Sequence, residues 1–310
     1  MRAITLSNRG EGMAGLTLTE RPYPHAAEND VIVKVHAAGF TPGELEWPST
    51  WTDRSGRDRT PSIPGHELSG TVVELGYGTT GLSVGQRVFG FADWARDGSL
   101  AEYAAVEARN LAPLPAGIDH VVGAALPISG VTAWEGLFQH ARLETGQTVL
   151  VHGSAGGVGS FAVQLAKAAG AVVVATGREA DRELALKLGA HRFVDLDRER
   201  LEDQRPVDVV LDVIGGDVLA RSVTVVREGG VVVSIAERPT SGPVGGRSVF
   251  FVVQPDRATL ATLARRVSEG ALTPIVGSVR RFEEAADAFQ RRARVQGKVI
   301  IRVTDDDLSG

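Results

Sequence analysis

The N-terminal third of the chain has the short period of β-structure. Val31-Ile32-Val33-Lys34-Val35-His36-Ala37 is a run of mostly β-branched residues. Further runs cover Leu68 to Gly76, Gln86 to Phe91 and Leu100 to Val106, the last carrying Tyr103 as an expected core residue. Gly, Pro, Asp and Ser stand between them, as strands joined by turns require. From Pro42 to Pro64 the chain is polar and charged around Trp47 and Trp51. That stretch predicts a long surface loop of the kind that covers a site.

Beyond Val121 the period changes. Val121 to His140 has helical character, and Thr148 to His152 is a short buried-strand run. Gly157 to Ala169 places Val158, Phe161, Ala162, Leu165, Ala166 and Ala169 on one helical face. Then come a strand at Val172 to Ala175, a helix at Ala180 to Leu188, strands at Phe193-Val194 and Val207 to Leu211, a helix at Asp217 to Arg227 and a strand at Val231 to Ile235. Buried strands alternating with helices predict a doubly wound parallel sheet, so the fold class is α/β. Helices at Asp256 to Ser268 and Phe282 to Arg292, a strand at Lys298 to Val303 and an acidic tail over 304–310 complete the chain.

Composition narrows the function. With 310 residues, 43% hydrophobic and 23% charged, the chain suits a soluble protein of two domains or one large one. A net charge of −5 lacks the basic surplus of a nucleic-acid surface. There is no cysteine, which excludes disulfides, thiolate nucleophiles and zinc sites built on sulfur. No run approaches the about 18 apolar residues of a membrane span, and Met1 to Leu6 gives way to polar residues without a signal-peptide core. The expectation is a cytoplasmic protein with no membrane or nucleic-acid partner.

The strongest chemical signal is Val149-Leu150-Val151-His152-Gly153-Ser154-Ala155-Gly156-Gly157-Val158-Gly159, a strand, a glycine-rich turn and a helix start. Gly156 lets the backbone approach a pyrophosphate, Gly159 lets the helix lie close on the strand, and the helix N-terminus offers N–H groups to phosphate. The plain alternative is a tight turn with no ligand. An NAD site ends the next strand in Asp or Glu to hold the ribose 2′-OH. Here Val172 to Ala175 runs into Thr176-Gly177-Arg178. Arg178 can fork onto a 2′-phosphate with help from Arg182, which favours NADPH; otherwise it is a solvated surface charge.

Several motifs together resemble the zinc-independent quinone oxidoreductase branch of the medium-chain dehydrogenase/reductase superfamily. They are Ala37-Ala38-Gly39-Phe40-Thr41-Pro42, Pro64-Gly65-His66-Glu67-Leu68-Ser69-Gly70-Thr71-Val72-Val73, Val84-Gly85-Gln86-Arg87-Val88 ahead of Gly98-Ser99-Leu100-Ala101-Glu102-Tyr103, the run His152 to Gly159, and Gly297-Lys298-Val299-Ile300. The resemblance covers nearly the whole chain. It implies a GroES-like β-rich catalytic domain from residues 1–120 and 258–310, and a Rossmann NADP-binding domain from 121–257, with the site in a cleft. It further implies that Thr132, Ser154, Ala155, Gly156, Gly157, Val158, Thr176 and Arg178 line the cofactor. Ile214 and Ala236, after the strands ending in Asp212 and Ser234, would lie near the nicotinamide half. Phe251 and Val252, in an expected strand Val249 to Val253, would meet the nicotinamide amide. That strand also predicts a homodimer through a shared sheet edge.

Two departures set the chemistry. Thr41 stands where the branch has Asn, and His66-Glu67 has the spelling of the zinc enzymes. A catalytic zinc would need two more good ligands, and Thr41 and Ile128 are poor ones. His66 is then either a hydrogen-bonded residue at the cleft or a satisfied structural histidine. Without a metal, hydride transfer suits an acceptor that is already electron-poor: a quinone or another conjugated carbonyl. Thr41, His66 and Trp47 are the candidate catalytic residues, with Trp47 and Trp51 either stacking on a flat substrate or anchoring the loop. An enoyl-thioester or polyketide-tailoring reductase, and a cofactor-bound regulatory protein without turnover, are the competing readings.

Overall fold

The computed structural model describes residues 1–41, 43–290 and 295–304. The chain divides into two compact units. Residues 1–128, 255–271 and the described residues from 276 on form the first, and 129–254 with 272–275 the second.

The first unit opens with an antiparallel pair, β1 (Arg2–Leu6) and β2 (Leu16–Glu20). Then follow β3 (Asp30–Gly39), a short α1 (Pro48–Trp51), β4 (Glu67–Leu75), β5 (Arg87–Phe91), β6 (Tyr103–Glu107), β7 (Leu111–Pro113) and α2 (His120–Ala125). Strands β3, β4 and β5 pair antiparallel, and their inward residues Val31, Val33, Val35, Leu68, Val72 and Val88 are buried in one core. Asp119 caps α2 by accepting from Val122 N at 2.8 Å, satisfying one of the orphan donors of a helix start.

In the second unit, α3 (Pro127–Trp134) enters from the first and runs on into a π-helical turn at Glu135–His140. Then come β8 (Thr148–Val151), α4 (Gly157–Ala168), β9 (Val172–Gly177), α5 (Arg182–Lys187), β10 (Arg192–Asp195), β11 (Val207–Asp212), α6 (Gly216–Ser222), β12 (Val226–Ser234) and β13 (Arg247–Phe250). The sheet order is β10-β9-β8-β11-β12-β13, with every pairing parallel. The order reverses between β8 and β11, the switch point at which doubly wound sheets open a crevice.

The chain then returns to the first unit with α7 (Arg257–Ser268), β14 (Val276–Arg281), α8 (Ala285–Gln290) and β15 (Lys298–Arg302). β15 pairs antiparallel with β3, Ile300 opposite Gly39, so both ends of the chain build one seven-stranded sheet. Phe282 and Ile301 join the core laid down by the N-terminal strands.

Several expectations need correction. In the expected loop Pro42 to Pro64, the described residues 43–64 are no plain surface loop: they include a 3-10 turn and α1, and bury Glu44, Leu45, Thr50 and Trp51. Tyr103 is half-buried rather than core, with its ring 5.0 Å from that of Tyr23. The expected strand Leu100 to Val106 starts only at Tyr103, and the helix Asp217 to Arg227 stops at Ser222 because the β-branched run from Val223 leads into β12. The expected strand Val249 to Val253 pairs over Arg247–Phe250 instead. Neither β1, β2 nor β14 was expected. The end of the expected helix at 291–292 and the tail at 305–310 lie outside the described residues. Among the described residues no helix is long and apolar enough to cross a membrane.

Candidate functional site

The glycine turn of the second unit is dictated by backbone crowding. Gly153 has φ +60°, and a Cβ there would lie 2.7 Å from Val213 Cγ2. A Cβ on Gly159 would lie 2.2 Å from the Gly153 carbonyl oxygen, so only glycine lets α4 start this close to β8. The N-cap of α4 is Gly156, which has no side chain to occupy the first-turn N–H groups. Gly156, Gly157 and Val158 are half-buried at this positive helix end, while Ala155 is buried beneath it.

Behind the turn runs a buried hydrogen-bond chain. Ser154 donates from N and Oγ to the Thr176 carbonyl, at 3.1 and 3.0 Å. Thr176 Oγ1 lies 2.8 Å from His152 Nδ1, and His152 Nε2 lies 2.7 Å from Ser222 Oγ. Ser222 Oγ donates to the Val218 carbonyl at 2.6 Å, so it accepts from Nε2–H and Thr176 donates to Nδ1. Burial holds the His152 imidazole neutral, with its pKa pushed down to about 4. The Ser154 and Thr176 side chains, expected along the cofactor, therefore face inward and lock the ends of β8 and β9 together.

At the end of β9 the next side chain is Arg178, 64% exposed and 3.8 Å from Asp197. Arg182 is not free to help it: its guanidinium is held by Glu179 at 2.9 Å and lies 4.9 Å over the Phe193 ring. At the ends of β11 and β12, buried Asp212 accepts from Ile214 N and Gly215 N, each at 3.1 Å, and from Ser234 Oγ at 2.7 Å. Ile214, Ala236 and Val252 are exposed there, whereas Phe251 is buried with its ring 4.3 Å from His140. Thr132 is buried in α3. Because every strand runs the same way, Ser154 to Val158, Thr176, Arg178, Ile214, Ala236 and Phe251 all lie at the carboxyl edge of one sheet, the edge where such sheets take ligands.

In the first unit, His66 immediately precedes β4 and is 2% exposed. Its Nδ1 is 2.6 Å from Glu44 Oε1, which also accepts from Gly65 N at 2.6 Å. His66 Nε2 and Glu44 Oε2 are buried without a hydrogen-bond partner within the chain. The Trp94 ring lies 5.1 Å from the imidazole, with Trp47 edge-on to it at 5.1 Å and Phe91 at 5.5 Å. Thr41 is half-buried, and its carbonyl accepts from Glu44 N at 2.9 Å. Thr41, Trp47 and His66 thus share one neighbourhood, organised by Glu44 and Trp94, two residues the sequence reading did not select. Trp51 is an anchor, buried with its indole N–H on the Leu45 carbonyl at 2.8 Å.

These residues do not fit a zinc ion. His66 keeps Nε2 open as one ligand atom, but the carboxylates beside it are engaged elsewhere: Glu44 Oε1 on His66 Nδ1 and Gly65 N, and Glu67 on Ile128 N at 2.9 Å and on Lys298. Among the described residues there is no cluster of three or more His, Cys, Asp or Glu that could hold a metal.

Comparison with known proteins agrees with this geometry. Residues 27–116 match the alcohol dehydrogenase GroES-like domain family, and residues 157–268 the zinc-binding dehydrogenase family. The chain is 35% identical to a 2-methylene-furan-3-one reductase of Solanum lycopersicum over 90% of its own length and 73% of the relative. It is 34% identical, with the same coverage, to a chloroplastic NADPH-dependent alkenal/one oxidoreductase of Arabidopsis thaliana. The solved structure of the quinone oxidoreductase from Coxiella burnetii superposes with a TM-score of 0.89 at 29% identity, covering 98% of this chain and 99% of that one.

Proposed function

The chain belongs to the quinone oxidoreductase branch of the medium-chain dehydrogenase/reductase superfamily, and from that premise we propose that it is an NADPH-dependent reductase of quinones and other conjugated carbonyls. The observation that carries the reading is the carboxyl edge of the parallel sheet. A helix N-terminus with no capping side chain stands there beside an exposed arginine, and Gly177 rather than an acid ends β9.

When bound, NADPH supplies the hydride. The N–H groups of Gly157 and Val158, at the helix start that Gly156 leaves open, hold the pyrophosphate, the Gly156 N–H being bonded to the Gly153 carbonyl at 2.9 Å, and Arg178 grips the 2′-phosphate. Ser154 and Thr176 act behind them by fixing the strand ends. Ile214, Ala236, Phe251, Val252 and Thr132 bound the nicotinamide half. Thr41, His66 and Trp47 receive the acceptor. A conjugated acceptor spreads the incoming charge over its own π-system, so no metal is needed to polarise it. The protein works in this reading as a cytoplasmic homodimer joined along β13.

The test is to mix the protein with NADPH and a panel of quinones and enones and to follow the loss of reduced-nicotinamide absorbance. Turnover with several members, unchanged by a strong chelator and much slower with NADH, is expected. Consumption of NADPH by none of the panel sinks the reading, and loss of turnover on chelation sinks its zinc-independence.

A further inference from the structure

We propose that Glu44 and His66 act as a unit that delivers the proton to the reduced acceptor, whose carbonyl oxygen sits on His66 Nε2 and whose ring lies against Trp94. The inference rests on the reductase reading above and adds to it the proton donor, its positioning residue and the shape of the substrate.

The argument begins with polar atoms that folding does not explain. A buried hydrogen-bonding atom left without a partner costs free energy, so native proteins rarely keep one without a reason. Here two lie in one buried pair, His66 Nε2 and Glu44 Oε2. The other atoms of the pair are well satisfied: Glu44 Oε1 accepts from Gly65 N and from His66 Nδ1, both at 2.6 Å. With the Nδ1 hydrogen committed to Glu44, the tautomer is fixed, and Nε2 is the one ring atom at which a proton can arrive and leave.

Charge around the pair is otherwise spoken for. Glu67, the next residue, binds Lys298 and Ile128 N. Asp93 pairs with Arg54, and Asp97 lies 3.4 Å from Arg59. Glu46 is exposed to solvent. With a proton on Nε2 the imidazolium and the Glu44 carboxylate form a neutral pair. The buried setting makes such a charge-assisted contact stronger than it is in water.

The surrounding surface selects the partner. Trp94 has the His66, Trp47 and Phe91 rings around it and is itself half-buried, as is Trp47. An aromatic wall beside a hydrogen-bonding atom suits a flat conjugated carbonyl, its ring on the indole and its oxygen on the imidazole.

The step balances. The acceptor gains a hydride from the reduced nicotinamide, which becomes oxidised, and its carbonyl oxygen becomes an enolate or phenolate. The Nε2–H bond breaks and an O–H bond forms on that oxygen, giving the enol or hydroquinone. The neutral imidazole then takes a proton from solvent. His66 touches the substrate and is catalytic; Glu44 acts through it as a positioning residue.

The test uses the full chain, NADPH and 1,4-naphthoquinone, with two readouts. In turnover, His66→Gln should lower kcat by roughly 100-fold and abolish the fall of kcat at high pH. Glu44→Gln should lower kcat by roughly 10-fold and displace that fall, with Glu44→Asp restoring most of the loss, while NADPH affinity stays unchanged in all three. In binding without NADPH, naphthoquinone should quench tryptophan fluorescence saturably, and Trp94→Leu should remove most of the effect. Circular dichroism checks folding, and Glu44→Asp and Trp94→Leu carry the test where His66→Gln does not fold. An unaltered pH profile and kcat in His66→Gln overturn the proton role. Quenching that survives Trp94→Leu overturns the placement. If the wild type binds naphthoquinone through Trp94 but turns over no acceptor, the reductase reading fails and the proton role fails with it, while the binding placement stands.

Discussion

Removing the guanidinium of Arg178 should collapse the preference for NADPH over NADH. The side chain is 64% exposed, and its neighbour Asp197, 3.8 Å away, is 67% exposed. An exposed pair of that kind is worth about 0–1 kcal/mol, so the guanidinium is available to a ligand. A charge-assisted contact with a phosphate is worth about 1.5–3 kcal/mol. Taking off the cost of leaving Asp197 gives a net of about 0.5–3 kcal/mol, or roughly 2- to 150-fold in affinity. Arg178→Ala should therefore weaken NADPH by roughly that factor and leave NADH, which has no 2′-phosphate, unchanged. Arg178→Lys should recover only part, because the two-pronged fork is lost. Asp197→Ala should tighten NADPH slightly by removing a competitor. Titration of reduced-nicotinamide fluorescence at fixed ionic strength reads each constant, since salt screens an exposed contact. The reasoning fails if Arg178→Ala leaves the NADPH-to-NADH ratio where it was, or weakens both alike. An acid at Thr176 is the wrong probe, because that side chain is buried against His152 and a carboxylate there would disturb the fold.

Three further outcomes follow from packing and burial. Gly159→Ala would set a Cβ 2.2 Å from the Gly153 carbonyl oxygen and 2.8 Å from Ser154 Cα, both backbone atoms. It should cost about 1–3 kcal/mol or more and lower NADPH affinity at once, seen as a reduced thermal midpoint and a weaker titration. His152 has its folded pKa at about 4, below its ordinary 6.5, so the stability it contributes is full above pH 6.5 and is lost as the pH falls toward 4. Denaturant unfolding should show stability falling as the pH drops through that window, by at most about 1.4 kcal/mol per pH unit from this one group, and a shallower fall in His152→Gln; equal slopes in both proteins would contradict the assignment. Val249→Lys, at the half-buried centre of edge strand β13, should turn a dimer into monomers by light scattering. A wild-type monomer at micromolar concentration refutes the dimer. Phe251→Asp is unsuitable for this purpose, because Phe251 is buried against His140 inside its own chain.

The parts of the molecule legible in the sequence are those in which one local rule decides. Short apolar runs such as Val149 to Val151 and Val209 to Leu211 are satisfied by strands covered on both faces, and they form the middle of the parallel sheet. The glycines of the β8–α4 turn were readable because a positive φ at Gly153 and a 2.2 Å clash at Gly159 admit no other residue. β13 was placed two residues late because Phe251 and Val253 are as apolar as a strand requires, yet they bury themselves after the pairing has ended. β1 and β2 were missed because two five-residue runs with a bent 3-10 segment between them carry too little periodicity. The site shows the same division more sharply. Backbone-led recognition leaves its mark as glycine spacing, whereas side-chain chemistry depends on which neighbours a fold brings together. Glu44 looks in sequence like one more acid in a charged stretch, beside Glu46. What separates them is that Glu44 is wholly buried, 2.6 Å from an imidazole 22 residues along the chain, and Glu46 faces solvent. Thr176 errs in the opposite direction: its place at a strand end suggested a ligand contact, but its side chain is buried onto His152, and Arg178 reaches solvent because it lies past the end of β9, where the strand's alternation no longer applies. Where the strand ends therefore decides which side chain can reach the cofactor, and the buried contacts of His152 with Thr176 and Ser222 tie that end of β9 down, which no local pattern in the sequence announces.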